Sequence, residues 1–371
     1  MKLTGWANAK GTDRYRSRFR GKIPLDHYRE SQGLWMSSIG LGTYLGNYDD
    51  DTDEQYRHAV VHAVESGCNV IDSAINYRLQ RSERSVGAAL QELARRGFGR
   101  DEIILATKGG FIPYDSAPPA DLRRYFEETF FQQGIATAAD IVSSCHCMTP
   151  RFLLNQLDCS LKNFAVDCID IYYIHNPETQ LVKISREDFD TRLLSAFEAL
   201  EGAVSAGKIR MYGTATWNSY RNDPAAKDYL SLADIVELAK RAGGSDHHFK
   251  VIQLPLNLGM SEALSLANQR IGERTVTPLE AAQALGITVM CSAAILQGQL
   301  ASNLPAMIGE ALPGLATDAQ RSIQFVRSTP GVTTALVGMK RIDHVDENLQ
   351  TALIPPANWE QYSKLFESSA Q

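Results

Sequence analysis

Four side chains of this sequence could together place a proton on an oxygen. Asp72 closes the apolar run NVID, and Tyr77 stands five residues beyond it. Lys108 closes a second run, EIILATK, and His175 a third, IDIYYIH. A phenol with a pKa of about 10 gives up its proton reluctantly at neutral pH. A buried ammonium beside it would favour the phenolate and lower that value. An aspartate would keep the ammonium charged and oriented. An imidazole would hydrogen-bond an oxygen gathering negative charge.

Each residue alone has an ordinary explanation, as a surface ion pair, a rim histidine or a packed loop ring. Their joint occurrence carries more weight. An ordinary connection between strand and helix would use Gly, Asn or Pro where this chain has IDSAINY. Charged residues at inner strand ends must be paired or functional, because an unpaired buried charge is costly. None of the four can supply an electron pair as hydride; a nicotinamide cofactor can.

The elements that must position them are regular. Eight short apolar runs rich in Val, Ile and Tyr occupy 38–44, 69–74, 102–108, 169–176, 210–216, 251–257, 287–293 and 334–339. A run of helical period follows each one. The strands are continuously apolar, as strands buried on both faces should be. This pattern predicts an α/β fold, a (β/α)8 TIM barrel. No GxGxxG opens a helix after a strand, so a Rossmann unit is not expected. The long connections, 111–150, 177–188, 219–230, 258–276 and 296–316, all follow a strand and precede its helix. They predict long strand-to-helix loops on the C-terminal face, where barrel active sites lie. The 111–150 segment is expected to form a lid or an extra helix.

Three regions are expected: a basic amino-terminal arm over 1–36 containing RYRSRFRGK, the barrel over 37–356, and a C-terminal helix and tail over 357–371. The chain has 371 residues, 44% hydrophobic and 22% charged, with a formal net charge of −6. That charge gives no footprint for nucleic acid, and no apolar run is long enough to span a bilayer. The arm lacks the h-region of a secretory signal. Six cysteines without a CxxC pair fit a reduced, cytoplasmic protein. Cys145-His146-Cys147 reads as an ordinary loop, because adjacent residues point apart and do not converge on a metal. A metal hydrolase would need His or Asp clusters at several strand ends, and only His175 qualifies, so no metal is expected.

The motifs GLGTY, D-S-A-x-x-Y-x5-E-x-x-V-G from Asp72 to Gly87, ATKGG, DIYYIHNP, GKIRMYGTATWN, IQLPLN and ALVGMKRIDHVDENL occur in order. From about residue 37 to 355 the chain resembles an aldo-keto reductase. The resemblance implies a catalytic tetrad of Asp72, Tyr77, Lys108 and His175, with Tyr77 as general acid. It implies an NADPH cofactor, with NADH possible, lying extended across the barrel mouth. The cofactor contacts it suggests are Gly42, Thr43, Asp72, Thr216, Gln253, Ser292, Gly338, Lys340, Arg341, His344, Glu347 and Asn348. Tyr44 and Trp217 are the implied substrate contacts. The expected substrate is a small-molecule carbonyl, an aldehyde, ketone or sugar, or the corresponding alcohol.

The chain departs from the family pattern at several positions. Gly213-Thr214-Ala215-Thr216 stands for Gly-x-Ser-Asn, so Thr216 and Gln253 are left to hold the nicotinamide amide. Cys291-Ser292-Ala293 is set against Tyr-Ser-Pro, which puts a thiol in place of a stacking ring, with Trp217 a candidate substitute. His344 replaces an arginine, while Lys340 and Arg341 could meet a 2′-phosphate. Arg78 stands where the family often has Gly, and could face an anionic substrate or solvent. Phe111 and Tyr114 are further candidates for an aromatic wall. The altered nicotinamide grip and the basic arm motivate an alternative: a cofactor-binding regulatory subunit with little turnover, like the family's channel-associated members.

Overall fold

The computed structural model describes residues 2–367. Eight parallel strands close into a barrel in sequence order. They are β1 (Ile39–Gly42), β2 (Val70–Asp72), β3 (Ile104–Gly109), β4 (Ile169–His175), β5 (Ile209–Ala215), β6 (Phe249–Pro255), β7 (Thr288–Ser292) and β8 (Thr334–Gly338). The principal helices that follow them are α1 (Asp50–Glu65), α2 (Arg81–Arg95), α3 (Pro150–Phe164), α4 (Arg186–Ser205), α5 (Leu232–Gly243), α6 (Pro278–Ala284), α7 (Asp318–Ser328) and α8 (Ile342–Leu349). The predicted (β/α)8 architecture is therefore the observed one. Some strands are shorter than their apolar runs: SIGLGTY contributes only Ile39–Gly42, because beyond Gly42 the chain leaves the ladder and turns into the mouth.

Strand alternation sorts the side chains into two layers. Val70, Ile104, Ala106, Ile171, Tyr173, Val251 and Met290 fill the barrel interior. Ile71, Leu105, Ile174, Ile252 and Val289 point outward against helix residues such as Leu90, Leu157 and Phe197. Both faces are dry, which explains the continuous apolar runs. Helix starts follow local chemistry. Asp49 caps α1 by accepting from the Thr52 N–H, and Thr277 with Glu280 makes a reciprocal capping box at α6, with Pro278 at its first position.

The amino-terminal region is a built element beneath the barrel. A helix over Ala9–Ser17 is fastened by Arg14 to Asp101 and by Arg14 and Arg18 to the fully buried Glu102. An antiparallel hairpin, Tyr28–Ser31 with Leu34–Ser37, sends Leu34 and Met36 into the interior cluster from the strands' N-terminal end. The site therefore has a dry floor. At the other terminus, Tyr362 of the helix Trp359–Glu367 stacks on Phe325 of α7 at 5.4 Å, and its hydroxyl lies 2.6 Å from Thr329 Oγ1.

The 111–150 segment forms a short helix, Leu122–Phe126, running into one wide turn, Glu127–Phe131. It makes its own aromatic cluster with Ile112, Phe130 and Phe152, beside α3. Tyr114 packs on Tyr125 within that cluster. Of this segment only Phe111 reaches the barrel mouth, so it does not cover the mouth as a lid would.

Candidate active site

Asp72, Lys108 and His175 sit at the C-terminal ends of β2, β3 and β4. The parallel registers Asp72↔Ala106 and Lys108↔Tyr173 bring these ends side by side. Lys108 Nζ donates to Asp72 Oδ2 at 2.5 Å and to the Ser73 carbonyl at 2.8 Å. The other carboxylate oxygen accepts from Gln253 Nε2 at 2.9 Å. Both members of the ion pair are buried, at 4% and 1% exposure, so each charge depends on the other. Tyr77 lies above them. Its ring centroid is 5.1 Å from Lys108 Nζ and 5.8 Å from the His175 ring. The structure thus brings Asp72, Tyr77, Lys108 and His175 together.

The electrostatics differ from the expectation in one respect. Burial, followed by the Asp72 carboxylate, holds the Tyr77 phenol well above its usual range. The Lys108 ammonium is pulled down by burial and held up by Asp72. Asp72 takes up the lysine's field, so Tyr77 rests in its protonated form. That is the form an acid needs. Burial first, then Lys108 and His146, push His175 well below the usual histidine value, so its ring is neutral. Its Nδ1 is buried without a partner.

His175 is held from behind by a residue whose sequence context suggested only a loop. His146 is fully buried, and its Nε2 lies 2.7 Å from the His175 carbonyl oxygen. Gln180 Nε2 stands 2.9 Å from His146 Nδ1, which leaves the His146 proton on Nε2. Arg192 Nη1 donates to Gln180 Oε1 at 2.8 Å and fixes that amide. The glycines of ATKGG leave room for this: a Cβ on Gly110 (φ +136°) would lie 2.8 Å from His146 Nε2 and 3.1 Å from the His175 oxygen. Glu83, the acid of the longest motif, faces away from the mouth. It accepts from Thr107 at 2.6 Å and Asn163 at 2.8 Å, tying α2 to β3 and α3.

A cavity of about 750 Å³ opens over this group. Among the expected contacts, Gly42, Thr43, Tyr44, Asp72, Thr216, Trp217, Gln253, Ser292, Gly338, Lys340 and His344 line it. Arg341, Glu347 and Asn348 do not. Arg341 is exposed and paired with Asp343, Glu347 gives its backbone carbonyl to Gln320, and Asn348 is buried on α8. Asn76, Asn176, Leu45, Ile295 and Gln297 also line the cavity and were not anticipated. Asn176 had a signal: it takes φ +45° directly after His175, a conformation asparagine tolerates better than most residues.

Two expectations need correction. Cys291 does not stand in the cavity. It points outward into the layer between barrel and helices, and the next residue, Ser292, lines the mouth. Period-2 alternation makes these neighbours face opposite ways. Arg78 meets neither a substrate nor solvent; its side chain is fully buried and turned inward.

The residues present fit a dinucleotide reaching into the mouth. Thr216 Oγ1 is buried without a partner, and a carboxamide would satisfy it. Gln253 has already committed its amide N–H₂ to Asp72, which leaves its carbonyl for a ligand. Among the described residues, no group of three or more His, Cys, Asp or Glu could hold a metal ion, and no helix is long and apolar enough to cross a membrane.

Trp217 is fixed at the rim by its backbone. Its N–H donates to Glu178 Oε1 at 2.9 Å, and its carbonyl accepts from Arg221 Nη2 at 3.1 Å. Burial pushes Glu178 up to about 7. The folded protein then keeps a proton that the unfolded chain loses near its ordinary value of about 4.5. Stability should fall as pH rises through that window, by on the order of 3 kcal/mol. Denaturant melts at pH 5 and pH 8 should show this difference in the wild type and a much smaller one in Glu178→Gln.

A barrel with an acid–lysine pair, a phenol and a neutral imidazole at its C-terminal mouth is an enzyme-type site. Comparison with known proteins defines it further. The family model for the aldo/keto reductase family matches residues 38–304, and the chain belongs to that family. Aldo-keto reductase yakc of Schizosaccharomyces pombe, named with NADP(+), is 29% identical over 54% of this chain and 49% of its own length. D-threo-aldose 1-dehydrogenase of a Pseudomonas species is 29% identical over 49% of this chain and 50% of its own length. The matched parts span about half the length of these relatives. A protein of S. pombe that carries the name "Putative voltage-gated potassium channel subunit beta" is 22% identical over 86% of this chain and 85% of its own. Among solved structures, an aldo/keto reductase from Klebsiella pneumoniae in complex with NADP and acetate superposes with a TM-score of 0.60 at 22% identity, covering 93% of this chain and 94% of the other.

Proposed function

We propose that this protein reduces a small-molecule carbonyl, an aldehyde, ketone or sugar, with NADPH as the preferred cofactor and NADH as the lesser one. The reading is carried by the protonated Tyr77 phenol poised over the buried Lys108–Asp72 pair and opposite the neutral His175 ring. When bound, the nicotinamide supplies hydride. Tyr77 gives its proton to the carbonyl oxygen as charge develops there, and His175 steadies that oxygen with a hydrogen bond. Lys108 then stands beneath the phenolate left on Tyr77, and Asp72 keeps the ammonium in place. Thr216 and the Gln253 carbonyl hold the nicotinamide amide. Lys340 lines the cavity and favours a cofactor carrying a 2′-phosphate; Arg341, on the surface beside Asp343, would have to exchange partners to join it.

The test is NADPH oxidation against a broad panel of aldehydes, ketones and sugars, with NADH in parallel. Turnover with NADPH and weaker turnover with NADH is the expected result. Binding of NADPH without turnover of any carbonyl would favour a second reading, a cofactor-binding regulatory subunit. Similarity to a channel subunit over most of both chains supports that alternative.

A further inference from the structure

Arg78 follows the proposed acid directly and begins a run of three left-handed residues, Arg78, Leu79 and Gln80, at φ +48°, +58° and +68°. Such backbone is strained for residues other than glycine and persists only where the surroundings hold it. The end of the run is held through Gln80, which donates to the Tyr114 carbonyl at 3.3 Å and accepts from Asn163 at 3.1 Å, and its start is held by the Arg78 side chain. Its Nε donates to the Asn47 carbonyl at 2.8 Å, and its Nη2 donates to Asp53 Oδ1 at 2.7 Å and reaches the Asp49 carbonyl at 3.4 Å. The guanidinium lies 5.2 Å from the ring centroid of Tyr56, whose hydroxyl donates to the Leu45 carbonyl at 2.5 Å. Every one of these Arg78 and Tyr56 bonds ends on the loop after β1 or the first turns of α1. That loop carries Tyr44, whose ring meets the Tyr77 ring edge-on at 4.9 Å, and Leu45, which lines the cavity.

We infer that Arg78 is a positioning residue that locks the Tyr77 turn to the Tyr44–Leu45 wall, so that the acid and the substrate wall move as one body. The inference rests on the reading of Tyr77 as the proton donor. A planar guanidinium suits this task because one rigid fork can bond a carboxylate and backbone carbonyls at once.

Arg78→Gly isolates the tether, because glycine adopts φ +48° without strain and leaves the turn itself possible. The expected result is a fall in kcat of roughly 10- to 100-fold, since a misplacement of about 1 Å can cost that much. NADPH affinity should stay within about twofold, and the solvent deuterium isotope effect on kcat should grow as proton transfer becomes limiting. Amide exchange over 43–49 and 77–80 should quicken together. Arg78→Lys, which can meet Asp53 but not the two carbonyls as well, should fall between, and it decides the matter if the glycine variant does not fold. A kcat within about threefold of wild type, or quickened exchange in only one of the two segments, overturns the inference. A wild type that turns over no carbonyl sinks the reading of Tyr77 instead, and the paired exchange change still judges the tether.

Discussion

Tyr77→Phe is expected to lower carbonyl turnover by about 10²–10⁴-fold, the range a positioned proton donor contributes. The ring is retained, so its edge contacts with Tyr44 and His175 survive and the fold is not disturbed. No other residue beside it replaces the lost proton. Burial, then Lys108 and His146, hold His175 well below the usual histidine value, so its neutral ring can offer a hydrogen bond but is a poor source of a transferred proton. Lys108 is bonded to Asp72 and the Ser73 carbonyl and lies beneath the ring. NADPH binding, followed by quenching of intrinsic fluorescence, should be unchanged within about twofold. A variant that kept near-wild-type turnover would show that the proton comes from elsewhere, and the proposed mechanism would fall.

Lys108→Met should fail in a different way. The carboxylate of Asp72 would remain buried with Gln253 as its one side-chain partner. Removing one member of a buried ion pair typically costs about 3–5 kcal/mol, because the other charge is left uncompensated. Denaturant unfolding at pH 7 should report a loss of that order, with turnover reduced as well because a Tyr77 phenolate would lose its counter-charge. The double variant Lys108→Met with Asp72→Leu removes both charges. It should recover much of the stability and none of the turnover. Equal stability losses in the single and double variants would mean that the pair does not carry the electrostatic load assigned to it here.

Much of this protein is legible without coordinates. The barrel could be read because its strands are dry on both faces and each precedes a helix of clear period. Asp72, Lys108 and His175 could be read because a charged residue at the end of such a strand is conspicuous, and parallel strands deliver their ends to one mouth. Tyr77 could be read from its distance beyond Asp72. The long connections pointed to the rim that carries the cavity.

What the tertiary structure decided lies one step beyond the strand ends, where direction is not encoded by residue type. Cys291 and Ser292 are neighbours in sequence, yet only alternation within the folded strand tells which one lines the mouth. Arg78 could equally have faced a ligand or solvent; it is drawn inward by Asp53 and by two carbonyls of a loop about 30 residues earlier in the chain. His146 lay in a cluster that suggested little, and gains its place from the carbonyl of His175 and the amide of Gln180. Arg341, Glu347 and Asn348 sit on one short helix and its approach, and the set of that helix leaves them outside the cavity. The chain by itself determined which chemistry could be assembled and at which end of the barrel. The fold determined which side chains face it, because side-chain direction depends on partners far away in sequence.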